Sequence, residues 1–231
     1  MIPDKALVVA AHPDDDILGC GGAIARYRSL GVEVRVIFLA EGVTARFRDE
    51  ELNDAEVIAK SEQRNRNALK ALDILSVPSE QVFLNTRHCC RLDQVPLIHL
   101  VKEIEYHLDE FKPDQVLCHS AHDVNIDHRI TNEALRAAIR PLAGCPVKSV
   151  LNFEVLSSTE WNTAAPFAPT VFADITEFID LKIIALAAYG DEMQPSPHPR
   201  SEEVLKALAT YRGTQAGVRY AEGFNLFRYL Y

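Results

Sequence analysis

Apolar residues run unbroken through residues 6–11, with Val8 and Val9 at the centre. That length and β-branched content predict a buried strand. It stops at His12-Pro13, where proline lacks a ladder donor and restricts the residue before it. Beyond it, Ile17, Leu18, Ile24 and Tyr27 predict a helix. Residues 32–39, interrupted only by Glu33 and Arg35, predict a second strand, and the polar stretch 43–54 predicts a loop. A helix over 55–75 is expected to bury Ala68, Leu69, Leu72 and Leu75. Residues 81–84 predict a short strand. Leu97, Val101, Ile104 and Leu108 form a helical stripe within 95–108. A buried strand at 114–119 precedes a helix marked by Ile130, Ala134, Leu135, Ala138 and Ile139. Residues 148–155 and 170–175 predict further strands, and helices near 176–189 and 201–212 are expected to close the chain. Strands alternating with helices predict an α/β fold, a Rossmann-like and mostly parallel sheet with helices on both faces. No repeat or linker divides the chain, so a single domain over 1–231 is expected, with Pro195 to Pro199 a rigid loop.

Composition narrows the partners. The chain has 231 residues, 48% hydrophobic and 25% charged, enough for one sizeable core. A net charge of -9 argues against nucleic acid or an anionic membrane as partner. It leaves room for an anionic small substrate met by local arginines. No apolar stretch approaches about 18 residues and the start is not a signal peptide, so a cytoplasmic protein without membrane insertion is expected. The five cysteines are odd in number and lack paired metal-finger spacing, which suits reduced thiols. Cys118 reads as a small core residue, and Cys89-Cys90 as loop residues that need bind nothing.

The candidate chemistry lies on two loops, each leaving the carboxyl end of a strand, the edge where open α/β sheets bind ligands. One carries His12 and Asp14, Asp15 and Asp16. The other, within Cys118-His-Ser-Ala-His-Asp-Val-Asn-Ile-Asp-His-Arg129, carries His119, His122, Asp123, Asp127 and His128. Two imidazoles and one carboxylate with an open position form a catalytic zinc site. Such an ion lowers the pKa of its water to roughly 7 and polarises a carbonyl, and a further carboxylate can take the proton. Adjacent Asp14 and Asp15 suit that division. The competing reading makes the three aspartates a helix cap and first turn, and Asp16 fits it best. Gly19, Gly21 and Gly22 fall inside the helix, which weakens a dinucleotide reading. His88, His99 and His107 read as surface residues.

At Ala11-His12-Pro13-Asp14-Asp15-Asp16 and Asp127-His128 the chain resembles the zinc-dependent LmbE-like (PIG-L) de-N-acetylases. The resemblance extends through Ala40-Glu-Gly-Val-Thr-Ala-Arg46, the helix around Arg64, Ser157-Ser-Thr-Glu-Trp161, Pro197-His-Pro-Arg-Ser201 and Tyr220-Ala-Glu-Gly-Phe224. It implies His12, Asp15 and His128 as ligands of one Zn2+, with another divalent metal left open. It implies Asp14 as general base and Asp127 as a carboxylate orienting its neighbour. Asp16 departs from the family's usual glutamate. Asn125 stands where many members carry a histidine that serves the leaving amine or the oxyanion. Asparagine can donate to an oxyanion but cannot be a general acid, which leaves Asp14, His198 or His122 for that role. Arg46, Arg64 and Arg200 are candidates for an anionic substrate group, against ordinary surface salt bridges. The implied activity removes acetyl from an N-acetylated amino sugar or its conjugate, in glycan, surface-polysaccharide or glycoconjugate biosynthesis. The portion from about 150 would complete the substrate site. Homo-oligomerisation stays open. The alternatives are a two-histidine, one-carboxylate non-haem iron enzyme, which the α/β pattern opposes, and a non-catalytic sugar-binding module.

Overall fold

Strand β1 (Lys5–Ala10) has no solvent side from Ala6 onward: Val8 and Ala10 pack on one face, Leu7 and Val9 on the other. A strand buried on both faces belongs in the middle of a covered parallel sheet. The computed structural model, which describes residues 2–142 and 144–231, places it there. β1 pairs in parallel with β2 (Glu33–Phe38) and with β4 (Gln115–His119). β3 (Val82–Phe83) extends the β2 side, and β5 (Ser149–Phe153) the β4 side. The seven-stranded order is β3-β2-β1-β4-β5-β7-β6, with β6 at Val171–Asp174 and β7 at Ala221–Tyr229.

Helices cover both faces, as the alternating pattern requires. α1 (Asp15–Ser29), α2 (Ala55–Ile74), α5 (Ile179–Ala187) and α6 (Glu202–Ala216) bury Ile17, Leu72, Leu186 and Leu205 against Val8, Val36 and Phe153. α3 (Leu97–Phe111) and α4 (Ile126–Ala138) bury Ile104 and Leu135 against Leu7, Val9 and Val116. The 43–54 loop contains two short 3-10 turns, Thr44–Arg46 and Asp49–Glu51. Among the described residues no helix is long and apolar enough to cross a membrane.

One expectation fails at the end of the chain, which closes on β7 rather than on a helix. β7 inserts antiparallel between β5 and β6. Its sequence hides it: only Ala221 to Phe224 are buried, and the pairing with β5 shifts register between Val150 and Leu151. No period of two survives across the shift.

Helix α1 is interrupted at Cys20 (φ -148°, ψ 21°). The glycines around the break permit close approach: a Cβ on Gly19 would stand 2.2 Å from Phe153, and one on Gly22 2.7 Å from Ile175. The N–H groups of Gly22 and Ala23, freed by the break, donate to Glu222 of β7 at 2.9 and 2.7 Å. Lys182 of α5 completes the junction, its ammonium 2.6 Å from Glu222 and 2.8 Å from the Leu18 carbonyl.

Candidate active site and metal-binding group

From β1 the chain winds outward through β2 to β3, then returns to lay β4 on the other side of β1. The reversal opens a crevice at the carboxyl ends of β1 and β4. The His12–Asp16 loop and the loop after His119 therefore converge there.

His12, Asp15 and His128, all buried, bring one ligand atom each within 4.8 Å of one another. Asp15 Oδ2 lies 3.2 Å from His12 Nδ1 and 3.2 Å from His128 Nε2. The outer nitrogen of each imidazole faces a carboxylate, Asp127 Oδ2 at 2.8 Å from His12 Nε2 and Asp123 Oδ2 at 3.1 Å from His128 Nδ1. These carboxylates are themselves held. Asp127 accepts the N–H of Cys90 at 2.6 Å and of Leu92 at 3.0 Å. Asp123 accepts the Thr159 hydroxyl at 2.5 Å, the Asn125 N–H at 2.8 Å and the Ser158 hydroxyl. A carboxylate behind each imidazole fixes its tautomer and turns the other nitrogen inward, the usual support of a metal-binding histidine. Among the described residues, none hydrogen-bonds the buried His128 Nε2. An unpartnered nitrogen facing a carboxylate oxygen in an N2O donor set fits a divalent cation.

The electrostatics agree. Burial opposes charge on His12, but Asp127 and Asp15 outweigh it and lift the imidazole to about 10. Burial likewise opposes charge on His128, and Asp15 with Asp123 lifts it to about 9. Burial pushes Asp123 up, yet His128, Ser158 and Thr159 bring it down to about 2. The pocket thus holds a surplus of carboxylate that draws positive charge to its centre. His119 behaves differently. It stacks on His128 with ring centroids 3.9 Å apart, its Nε2 accepts the Ala11 N–H at 2.8 Å, and burial with the neighbouring His128 keeps it neutral.

Asp14 sits beside this group at φ 110°, a left-handed conformation that is strained for a residue with a side chain. Two guanidinium groups converge on its Oδ2, Arg64 Nη2 at 2.7 Å and Arg200 Nη1 at 2.7 Å. Arg64 also donates from Nε to the Pro13 carbonyl at 3.0 Å. Glu192 is the counterweight, meeting Arg64 at 2.6 Å, Arg46 at 2.7 Å and Arg200 at 2.5 Å. Burial pushes Asp14 up while Arg200 and Arg64 pull it down, and the net direction is up. Among the described residues no hydrogen bond reaches Asp14 Oδ1.

Residues 7–139 match the model of the PIG-L family, GlcNAc-PI de-N-acetylase. The chain belongs to the PIG-L family. Among curated relatives, the diacetylchitobiose deacetylase of Thermococcus kodakarensis is 22% identical over 225 residues, covering 96% of this chain and 82% of that protein. The 4-oxalmesaconate hydratase of Pseudomonas putida is 27% identical over 250 residues, covering 96% and 89%. Among solved structures, the N,N'-diacetylchitobiose deacetylase of Pyrococcus horikoshii superposes with a TM-score of 0.78 at 20% identity, covering 98% of this chain and 84% of that one.

Within this PIG-L chain the structure brings most of the sequence-derived candidates together. His12, Asp14, Asp15, Asp127 and His128 share the crevice. Arg64 and Arg200 lie on Asp14 and Glu192, so they face protein carboxylates rather than an open anion site, and Arg64 is buried. Arg46 meets Glu192 with more than half its side chain exposed. Asn125 is the cap of α4, its Oδ1 accepting the Asp127 N–H at 2.9 Å. His198 is exposed, with Nδ1 accepting the Arg200 N–H at 3.1 Å, and among the described residues no hydrogen bond ties it to the histidine–aspartate group. Asp16 lies in the first turn of α1, as the capping reading has it, while the cap position itself falls to Asp14. His107 is buried against the Phe83 ring, not at the surface. Sequence reasoning left Asp123 without a role, picked out Ser158 and Thr159 only as part of the Ser157–Trp161 motif with no chemistry assigned, and missed Glu192 altogether.

Proposed function

We propose that this chain is a divalent-metal-dependent hydrolase that removes the acetyl group from an N-acetylated amino sugar or sugar conjugate. The observation that carries this reading is the buried His12–Asp15–His128 group with Asp14 fixed beside it, on the stretch that matches the de-N-acetylase family. A zinc ion, or another divalent ion, held by those three residues would supply Lewis-acid polarisation of the amide carbonyl and of water. Asp127 and Asp123 hold the two imidazoles in the required tautomers. Asp14 is the general base. Arg64 and Arg200 occupy its Oδ2, which leaves Oδ1 to take the proton from the attacking water. Burial offsets the two guanidiniums and keeps the carboxylate basic enough for that task. The same proton passes from Asp14 to the amine nitrogen as the C–N bond breaks, so neither Asn125 nor the exposed His198 need act as acid. Asn125 caps α4 with its oxygen; its amide nitrogen, 4.0 Å from Cys90 Sγ, carries a second N–H that can meet the substrate oxygen. Arg46, exposed at the rim, is the candidate for an anionic group on the sugar.

Acetate release from a panel of N-acetylated monosaccharides, nucleotide sugars and lipid-linked sugars tests this. The protein is assayed after chelation and again after reloading with zinc. Release that needs the ion is expected from at least one class. A second reading, water addition to an unsaturated acid, is favoured by the hydratase being 27% identical. Turnover of 4-oxalmesaconate with no acetate from any sugar would replace the first reading by the second.

A further inference from the structure

Beside the His12–Asp15–His128 group lies another set of donors, which adds two thiols that the proposed hydrolysis does not use to His12 and Asp127. Cys89 Sγ, Cys90 Sγ, a ring nitrogen of His12 and an Asp127 oxygen all come within 4.8 Å of one another. The two sulfurs are 3.8 Å apart and are not joined as a disulfide. Two thiolates on one tetrahedral zinc, each at about 2.3 Å, stand about 3.8 Å apart. We propose that these four residues form a second cation site, selective for soft divalent ions such as Cd2+ or excess Zn2+, and that its occupation inhibits the enzyme.

The turn that presents the thiols is built. Neighbouring side chains on extended backbone point to opposite sides. Here Cys90 takes φ 59°, a conformation unfavourable for a residue with a side chain, and the sulfurs come to one side. Hydrogen bonds hold the turn: the Cys89 N–H donates to Glu41 Oε1 at 2.9 Å and Thr44 Oγ1 at 2.8 Å, the Cys90 N–H to Asp127 at 2.6 Å. Cys89 is buried and Cys90 exposed, so an ion can enter from solvent and end on buried donors. Thiolate, imidazole and carboxylate in tetrahedral number suit Zn2+ or Cd2+, whereas Mg2+ and Ca2+ prefer oxygen alone.

Inhibition follows from the shared histidine. A neutral imidazole has one lone pair. His12 presents Nδ1 to Asp15 and Nε2 to Asp127. It can serve the inner group from Nδ1 or the thiol group from Nε2, and an ion on the thiols also takes the Asp127 carboxylate that orients the ring. The two sites compete for one side chain.

Cd2+ titration of the purified protein, followed by thiolate-to-metal charge-transfer absorption in the ultraviolet, tests the site directly. This arm stands whatever the chain hydrolyses. A saturating band is expected in the parent and its loss in the Cys89→Ser/Cys90→Ser double variant. Absence of the band in the parent, or its persistence in the double variant, overturns the proposal. Cys90→Ser alone changes an exposed position and guards against misfolding of the double variant. On the substrate that the parent turns over, zinc added beyond the amount giving full activity should slow the reaction. Cys90→Ser should shift that inhibition to at least about tenfold higher zinc. Equal inhibition of parent and variant would show that the thiols do not mediate it.

Discussion

Glu222 offers a sharp test of how the fold supports the site, because one carboxylate there does three things. It accepts the N–H groups of Gly22 and Ala23 where α1 is broken, and it neutralises Lys182. Both side chains of the pair are over nine-tenths buried. Among the described residues, Glu222→Ala leaves the Lys182 ammonium with the Leu18 carbonyl as its remaining partner, and it strands two backbone donors. Removing one member of a buried ion pair costs about 3–5 kcal/mol, and a stranded donor about 1–3 kcal/mol. Relaxation around the site makes these less than additive, so about 4–5 kcal/mol is the expected loss. At about 2–4 °C per kcal/mol for a chain of this size, Tm falls by roughly 8–20 °C. Lys182→Met is the informative partner. It leaves Glu222 with two backbone N–H donors, which stabilise a carboxylate strongly, so its loss should be smaller by at least about 1 kcal/mol. Urea unfolding followed by circular dichroism measures both, with unchanged m values showing that the unfolded states are comparable. A loss under about 1 kcal/mol for Glu222→Ala, or a larger loss for Lys182→Met, would refute the reasoning.

Three further outcomes are expected. Asp14→Asn should keep its metal and lose about 10²–10⁴ in rate, since an amide cannot take the proton; near-normal turnover with unchanged metal content would point to another base. Asp123→Ala should weaken metal binding about 10–100-fold, measured by competition with a chromogenic chelator, because His128 loses the carboxylate that fixes its tautomer; unchanged affinity would mean that packing alone holds the ring. His107 is depressed to about 4 by burial and by the nearby Arg35. The unfolded chain takes this proton near pH 6.5 and the folded chain only near pH 4, so the stability present above pH 6.5 drains away as the pH falls through that window. His107→Leu should show a shallower acid limb between pH 6.5 and 4 in denaturation series, and an identical slope would remove His107 from the account.

The two candidate loops were legible because their residues are consecutive or nearly so, and each follows a strand with an unmistakable apolar run. Glu192 was not, since it reaches the arginines from a short turn, Gly190–Glu192, whose local pattern carries no signal of it. Asp123 was on view beside the motif, but its function depends on Ser158 and Thr159 from a later segment. Two signals were available and went unread. Leu100, Ile104, His107 and Phe111 share one buried face of α3, which places the histidine inside. Arg64 occupies the same face of α2 as Ala68, Ala71 and Leu72, and a guanidinium on an apolar stripe marks a buried carboxylate partner. β7 stayed hidden because half of it is solvated and its register slips.

The placement of β7 governs the order in which the molecule can be made. β6 touches the sheet through β7 alone, and β7 pairs with β5 across some seventy intervening residues. A nascent chain that has emerged only as far as α6 therefore presents β5 as an open edge, with unpaired N–H and C=O groups that invite another strand. It also lacks the carboxylate that bridges the break in the helix behind the crevice. Both deficits end together when residues 221–229 arrive. Closure of the sheet edge and completion of the helix that Asp14 caps and Asp15 begins are thus tied to a single event that follows the emergence of α6.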